Sequence, residues 1–169
     1  MIFVTVGTHE QSFDRLVKYI DEMTRDGLIN EKVIIQIGYS LYEPQYCTYQ
    51  KLYTYNEMIK LINEARIVIT HGGPSSFIMP LQIGKIPIVV PRQLRFKEHV
   101  NDHQVIFCEA VEKRQGNIIV VKDIQKLINV IENYDNVIKY MPKKIKSNNA
   151  KFCKELESIT KDLFEKNMN

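Results

Sequence analysis

Three short stretches carry glycines and polar side chains at spacings that suit an anion. The first, Gly7-Thr8-His9-Glu10-Gln11, follows the β-branched and aromatic run Ile2 to Val6. A strand, a tight glycine turn and a helix start leave backbone N–H groups free to meet a phosphate. Gly7 permits close approach and Thr8 adds a hydroxyl. The full G-x-G-x-x-G fingerprint of a dinucleotide site is absent, and an ordinary strand-to-helix turn is the plain alternative. The second stretch, His71-Gly72-Gly73-Pro74-Ser75-Ser76, ends the core strand Ile67 to Thr70. Two glycines clear side chains from the turn, and Pro74 suits the first helical position, where its missing N–H costs nothing. Ser75 and Ser76 set hydroxyls beside a helix N-terminus that carries roughly half a positive charge. Together they form a diphosphate cradle without the lysine of a P-loop.

The third stretch runs from Arg92 to Gln104. Arg92, Arg95 and Lys97 offer charge for phosphate. Asn101, His103 and Gln104 are directional hydrogen-bonding groups near a helix start, suited to sugar hydroxyls. His99 and His103 lie four apart and would suit zinc if His71 or Cys108 completed the set. With no second close Cys/His pair, a zinc-dependent hydrolase is the weaker reading. No Asp-x-Asp pair occurs, so no metal is expected to hold a diphosphate.

The elements that must position these groups alternate between strand and helix. Strands are expected over 2–6, 33–37, 67–70, 87–90 and 118–121. Helices are expected over 12–26, from Thr54 to about Ala65, over 75–83 and from about Val100 to Arg114. Another begins after Asp123, with Ile124, Leu127, Ile128 and Ile131 on one face. Thr54 and Glu57 have the spacing of a capping box. Between the second strand and that box lies a segment holding six of the nine Tyr, Tyr39 to Tyr55. Beyond Pro142, Phe152, Leu156, Ile159 and Leu163 make an apolar stripe on a Lys/Glu-rich helix. The pattern predicts an α/β, Rossmann-like parallel sheet with helices on both faces. In such folds ligands sit outside the carboxyl ends of the strands, which is where the three stretches fall.

Composition narrows the classes. The chain has 169 residues, the length of one domain, with 44% hydrophobic and 25% charged residues. A net charge of +3 with 20 acids does not suit a nucleic-acid binder. The sequence has no run of about 18 apolar residues to span a membrane, and its apolar start, without a basic n-region or small-residue cleavage site, is expected to be a strand and not a signal peptide. Cys47, Cys108 and Cys153 are odd in number and widely spaced, as expected of reduced thiols in a cytoplasmic protein.

The three stretches, with Gly84-Lys85-x-Pro87 and Val90-Pro91-Arg92, resemble the C-terminal domain of glycosyltransferase family 28, the donor-binding half of the GT-B fold. The resemblance runs from Met1 to about Val121. It extends to small bacterial capsule or exopolysaccharide proteins that are the catalytic member of a two-chain transferase. It also extends to the two-subunit transferase that adds the second GlcNAc to dolichol diphosphate, and to the single-chain peptidoglycan lipid II synthase.

The resemblance implies one donor-nucleotide-sugar-binding domain over 1–169, with 145–166 a C-terminal helix. It implies an inverting UDP-sugar-dependent hexosyltransferase subunit, moving galactose or another hexose to a lipid-diphosphate-linked acceptor in capsular or exopolysaccharide synthesis. The acceptor would be brought by a membrane-attached partner subunit, leaving this chain peripheral at the inner face of the membrane. A non-catalytic nucleotide-sugar-binding or enhancer subunit is the alternative. By position, Gly7 and Thr8 would approach the diphosphate, and Thr54 and Tyr55 would grip uracil. His71, Gly72, Gly73, Ser75 and Ser76 would form the phosphate turn. His103 and Gln104 would meet the donor sugar, with Arg92, Glu98 and Asn101 beside them. Single-chain relatives hold ribose with a Glu six residues after the glycine pair, where this chain has Met79. His9 is the weak nominee for general base.

Overall fold

The computed structural model describes residues 1–142 and 149–166. Its centre is a six-stranded, wholly parallel sheet: β1 (Ile2–Thr5), β2 (Val33–Gln36), β3 (Thr48–Gln50), β4 (Ile67–His71), β5 (Ile88–Val90) and β6 (Ile119–Val120). The spatial order is β3-β2-β1-β4-β5-β6. The order reverses between β1 and β4, where parallel sheets open a crevice for ligands. The sequence-based expectation of a Rossmann-like sheet holds.

The inner strands are apolar on both faces because both are covered. On one face Ile2, Val4, Ile35, Ile69 and Ile88 pack against α1 (Asp14–Arg25), α5 (Leu127–Glu132) and α6 (Tyr134–Ile138), through Leu16, Ile20, Leu127 and Tyr134. On the other, Phe3, Ile34 and Val68 meet Ile62 and Ala65 at α2 (Tyr55–Glu64). There Val89 meets Phe77, Leu81 and Cys108 of α3 (Pro74–Gln82) and α4 (His103–Gln115). Each such fully buried aliphatic side chain stabilises the fold by about 1.5–3 kcal/mol relative to exposure.

Local signals set the boundaries. The capping box forms as expected: Glu57 N–H donates to Thr54 Oγ1 at 3.4 Å, and Thr54 N–H donates to Glu57 Oε2 at 2.8 Å. Lys85 closes the far end of α2, with Nζ donating to the carbonyls of Ile62, Asn63 and Ala65. The helix expected after Asp123 divides into a 3₁₀ turn (Ile124–Lys126), α5 and α6. The edge strand β3 lies within the Tyr-rich segment and was not foreseen. Asp21 ties that segment down, accepting from the Tyr42 hydroxyl and from the N–H groups of Gln45, Tyr46 and Cys47 at 2.8–3.0 Å.

The last helix, α7, spans Asn149–Lys166. Residues 145–148 of the expected helix lie outside the described residues. Phe152, Leu156 and Ile159 are 57%, 48% and 56% exposed, so the apolar stripe is not buried against the sheet domain. No helix among the described residues is long and apolar enough to cross a membrane.

Candidate functional site

A cavity of about 380 Å³ opens at the β1/β4 crevice, within the roughly 300–1,000 Å³ of small-molecule sites. Gly7, Thr8 and His9 wall it from the β1 loop, and His71, Ser75 and Ser76 from β4 and the start of α3. Its floor and far side are Thr5, Gln36, Tyr53 and Met58. A second, more open cavity of about 340 Å³ shares Thr8 and His9 and adds Glu10 and Tyr39.

His71 organises the two glycine turns. Its ring is 7% exposed and lies between Gly7 and Gly73. A Cβ on Gly7 would sit 2.3 Å from His71 Cε1, and one on Gly73 would sit 2.3 Å from Nε2. Gly7 also has φ +75, which side-chain-bearing residues rarely adopt. The ring therefore fills the space that glycine leaves on both sides. Burial, then the nearby Arg92 cation, push the His71 pKa down to about 3, so the imidazole is neutral. Its Nδ1 is buried without a protein partner.

Gln104 holds the second turn from below. Its Oε1 accepts from the N–H of Gly72 at 3.0 Å and of Arg92 at 3.1 Å. Cys108 Sγ lies 3.6 Å from the Gly72 carbonyl, as its donor. A Cβ on Gly72 would meet both side chains at 2.9 Å. Gly73 and Pro74 then open α3, where no side chain caps the N-terminus, so its charge faces the cavity with Ser75 and Ser76.

At the floor, Thr5 Oγ1 accepts from the Gly7 N–H at 3.2 Å and from Gln36 Nε2 at 3.1 Å, while Gln36 Oε1 accepts from the Tyr53 N–H at 3.1 Å. Sequence reasoning missed Thr5, Gln36, Tyr53 and Met58. The available signal was the pair of polar residues closing two otherwise apolar strands.

Several expected contacts take other roles. Arg92 is 0% exposed, so it does not face a ligand. Its guanidinium donates to the carbonyls of Gln11, Ser12, Glu98 and Val6 at 2.7–3.2 Å and lies over the Phe13 ring. Burial lowers its pKa to about 10, which leaves it charged at neutral pH. Glu98 is also buried, paired with Arg15 through two bonds of 2.7 and 2.9 Å and accepting from the Gln93 N–H. Both are bracing groups: they bolt the β1 loop to the loop after β5. Thr54 is spent on the α2 cap and Tyr55 is 71% exposed, so Tyr53 and Met58 wall the cavity in their place. Asn101 Oδ1 accepts from the His103 N–H at 3.0 Å, and the His103 ring stacks on Phe107. Neither residue lines the cavity.

The four-residue spacing of His99 and His103 does not put them on one helical face, since α4 begins at His103. His99 lies outside α4 and tilts toward His9 at 5.1 Å between ring centroids. Among the described residues no three His, Cys, Asp or Glu side chains gather as a metal site.

The glycosyltransferase family 28 C-terminal domain model matches residues 1–162. The chain belongs to that family. The chain also has the fold of the C-terminal domain of solved GT-B glycosyltransferases. The glycotransferase of kitacinnamycin superposes with a TM-score of 0.56 at 18% identity, over 82% of this chain and 36% of that one. The glycosyltransferase SnogD from Streptomyces nogalater gives 0.49 at 14% identity, over 83% and 39%. This family member thus spans little more than a third of the length of either enzyme. No curated protein matches the chain.

Proposed function

We propose that this chain is the donor-binding, catalytic subunit of a two-component glycosyltransferase. It takes a hexose such as galactose from a UDP-sugar, and a membrane-attached partner presents a lipid-diphosphate-linked acceptor, as in capsular or exopolysaccharide assembly. The observation that carries the donor site is His71, one buried neutral imidazole packed between two glycine turns at the switch point of the sheet. That packing keeps backbone N–H groups clear of side chains where an anion would lie.

In this reading the diphosphate sits against Gly7, Thr8, Gly73, Ser75 and Ser76, and the α3 N-terminus offsets its charge. Tyr53 and Met58 supply the apolar side that a flat base needs. The diphosphate then requires no resident metal. Transfer inverts the anomeric carbon: the acceptor oxygen forms the new bond as the bond to the diphosphate breaks, and the electron pair leaves with UDP. Donors aimed at that growing charge lower the barrier. The acceptor's proton goes to a base on the partner, which also supplies the other half of the cleft.

The test is transfer from UDP-galactose, UDP-glucuronic acid and UDP-GlcNAc to a lipid-linked glycan, with and without the partner subunit. Turnover that needs both chains and is lost in Gly73→Val supports the reading. Full turnover by this chain alone sinks the two-component part. A partnered Gly73→Val enzyme with normal turnover points to an enhancer instead.

A further inference from the structure

His9 sits where a base would be useful, on the wall shared by the two cavities. Its hydrogen bonding gives it the other role. The Gln11 N–H donates to His9 Nδ1 at 3.1 Å. A neutral imidazole whose Nδ1 accepts a hydrogen bond must carry its proton on Nε2. The lone pair a base would use is therefore spent inside the loop, and the nitrogen left for a ligand is a donor.

The surroundings keep the ring neutral. Partial burial, the Arg92 cation and the His99 ring all oppose protonation, and only the Glu10 carboxylate favours it. His71, behind the same loop, is neutral as well. His99 repeats the bonding pattern, its Nδ1 accepting from the Asn101 N–H at 3.4 Å. Arg92 fixes the loop that makes this possible, because it holds the carbonyls of Gln11 and Ser12 inward.

We infer that His9 is a hydrogen-bond donor, through Nε2–H, to the diphosphate of the bound nucleotide, and is not the general base. The diphosphate half of this inference rests on the donor-site reading; the tautomer is a property of the chain alone. During transfer the electron pair of the broken sugar–oxygen bond goes to the diphosphate oxygen. His9 stabilises that oxygen without giving up its proton, and the acceptor's proton leaves by another group.

The test uses the full chain without a partner. Long-range ¹H–¹⁵N spectra of ¹⁵N-labelled protein near neutral pH should show His9 with Nε2 protonated and Nδ1 bare. Added UDP should move the Nε2–H resonance downfield and leave Nδ1 bare. By calorimetry, His9→Ala should weaken UDP binding about tenfold or more, as expected on losing a hydrogen bond to a charged group. His9→Gln, whose amide N–H reaches the Nε2 position, should recover most of that loss. An Nδ1–H tautomer, or a Gln variant as weak as the Ala variant, overturns the inference and leaves the donor-site reading standing. Failure of the wild-type chain to bind UDP at all overturns the donor-site reading and, with it, the diphosphate half of this inference.

Discussion

At the residue scale the site depends on what glycine leaves out. The His71 ring occupies the volume that a Cβ at Gly7 or Gly73 would need. Gly73→Ala should therefore push the imidazole or the turn aside and weaken UDP binding about tenfold or more, a loss that calorimetry would read. His71 also makes stability depend on pH. Unfolded, its imidazole takes a proton near pH 6.5; folded, it does so only near pH 3. The unfolded state thus gains protons first as pH falls, and stability present above about 6.5 is lost on the way down. His9, lowered in the same direction, adds to the slope. Urea unfolding between about pH 7.5 and about pH 5 should show this fall, and His71→Gln should flatten much of it. The two glycine turns and Ser75 and Ser76 were legible in the sequence because small residues after an apolar strand have few other purposes. Arg92 was misread. Nothing local in the sequence tells a phosphate-facing arginine from one that gathers four backbone carbonyls beneath a loop, since those carbonyls come from residues 6, 11, 12 and 98.

At the element scale, periodicity and capping located β1, β2, β4, β5 and every helix before α5, since each buries an apolar face or closes on a side chain of its own. The edge strand β3 escaped because its three residues, Thr48–Gln50, are all exposed. It pairs through backbone, and the segment before it is held by Asp21, a residue of α1 far away in sequence. Asp21→Asn should turn that carboxylate into a poorer acceptor for four donors and cost about 2 kcal/mol or more, measured by chemical denaturation. Arg92→Met should cost about 2 kcal/mol or more, since it leaves four buried carbonyls without their donor while Glu98 keeps Arg15. It should also loosen the β1 loop, which would appear as faster amide exchange at Gly7 to Ser12.

At the scale of the whole molecule, a chain of 169 residues carries a glycosyltransferase family 28 C-terminal domain and aligns with 36% of the kitacinnamycin glycotransferase. The apolar stripe of α7 is exposed, and none of its residues lines the β1/β4 cavity. Removing residues 145–169 should accordingly leave UDP affinity within about twofold of wild type while weakening capture of the acceptor-binding subunit; calorimetry and co-purification would read the two effects.

The central claim is that the β1/β4 crevice holds a nucleoside diphosphate-sugar, and calorimetric titration of the full chain with UDP and then with UDP-galactose tests it most directly. The expected result is saturable binding to one site, competed by UDP and weakened about tenfold or more in Gly73→Val with the circular dichroism spectrum unchanged. No detectable heat from UDP or any UDP-sugar at about millimolar concentration, or equal binding by wild type and Gly73→Val, would contradict it.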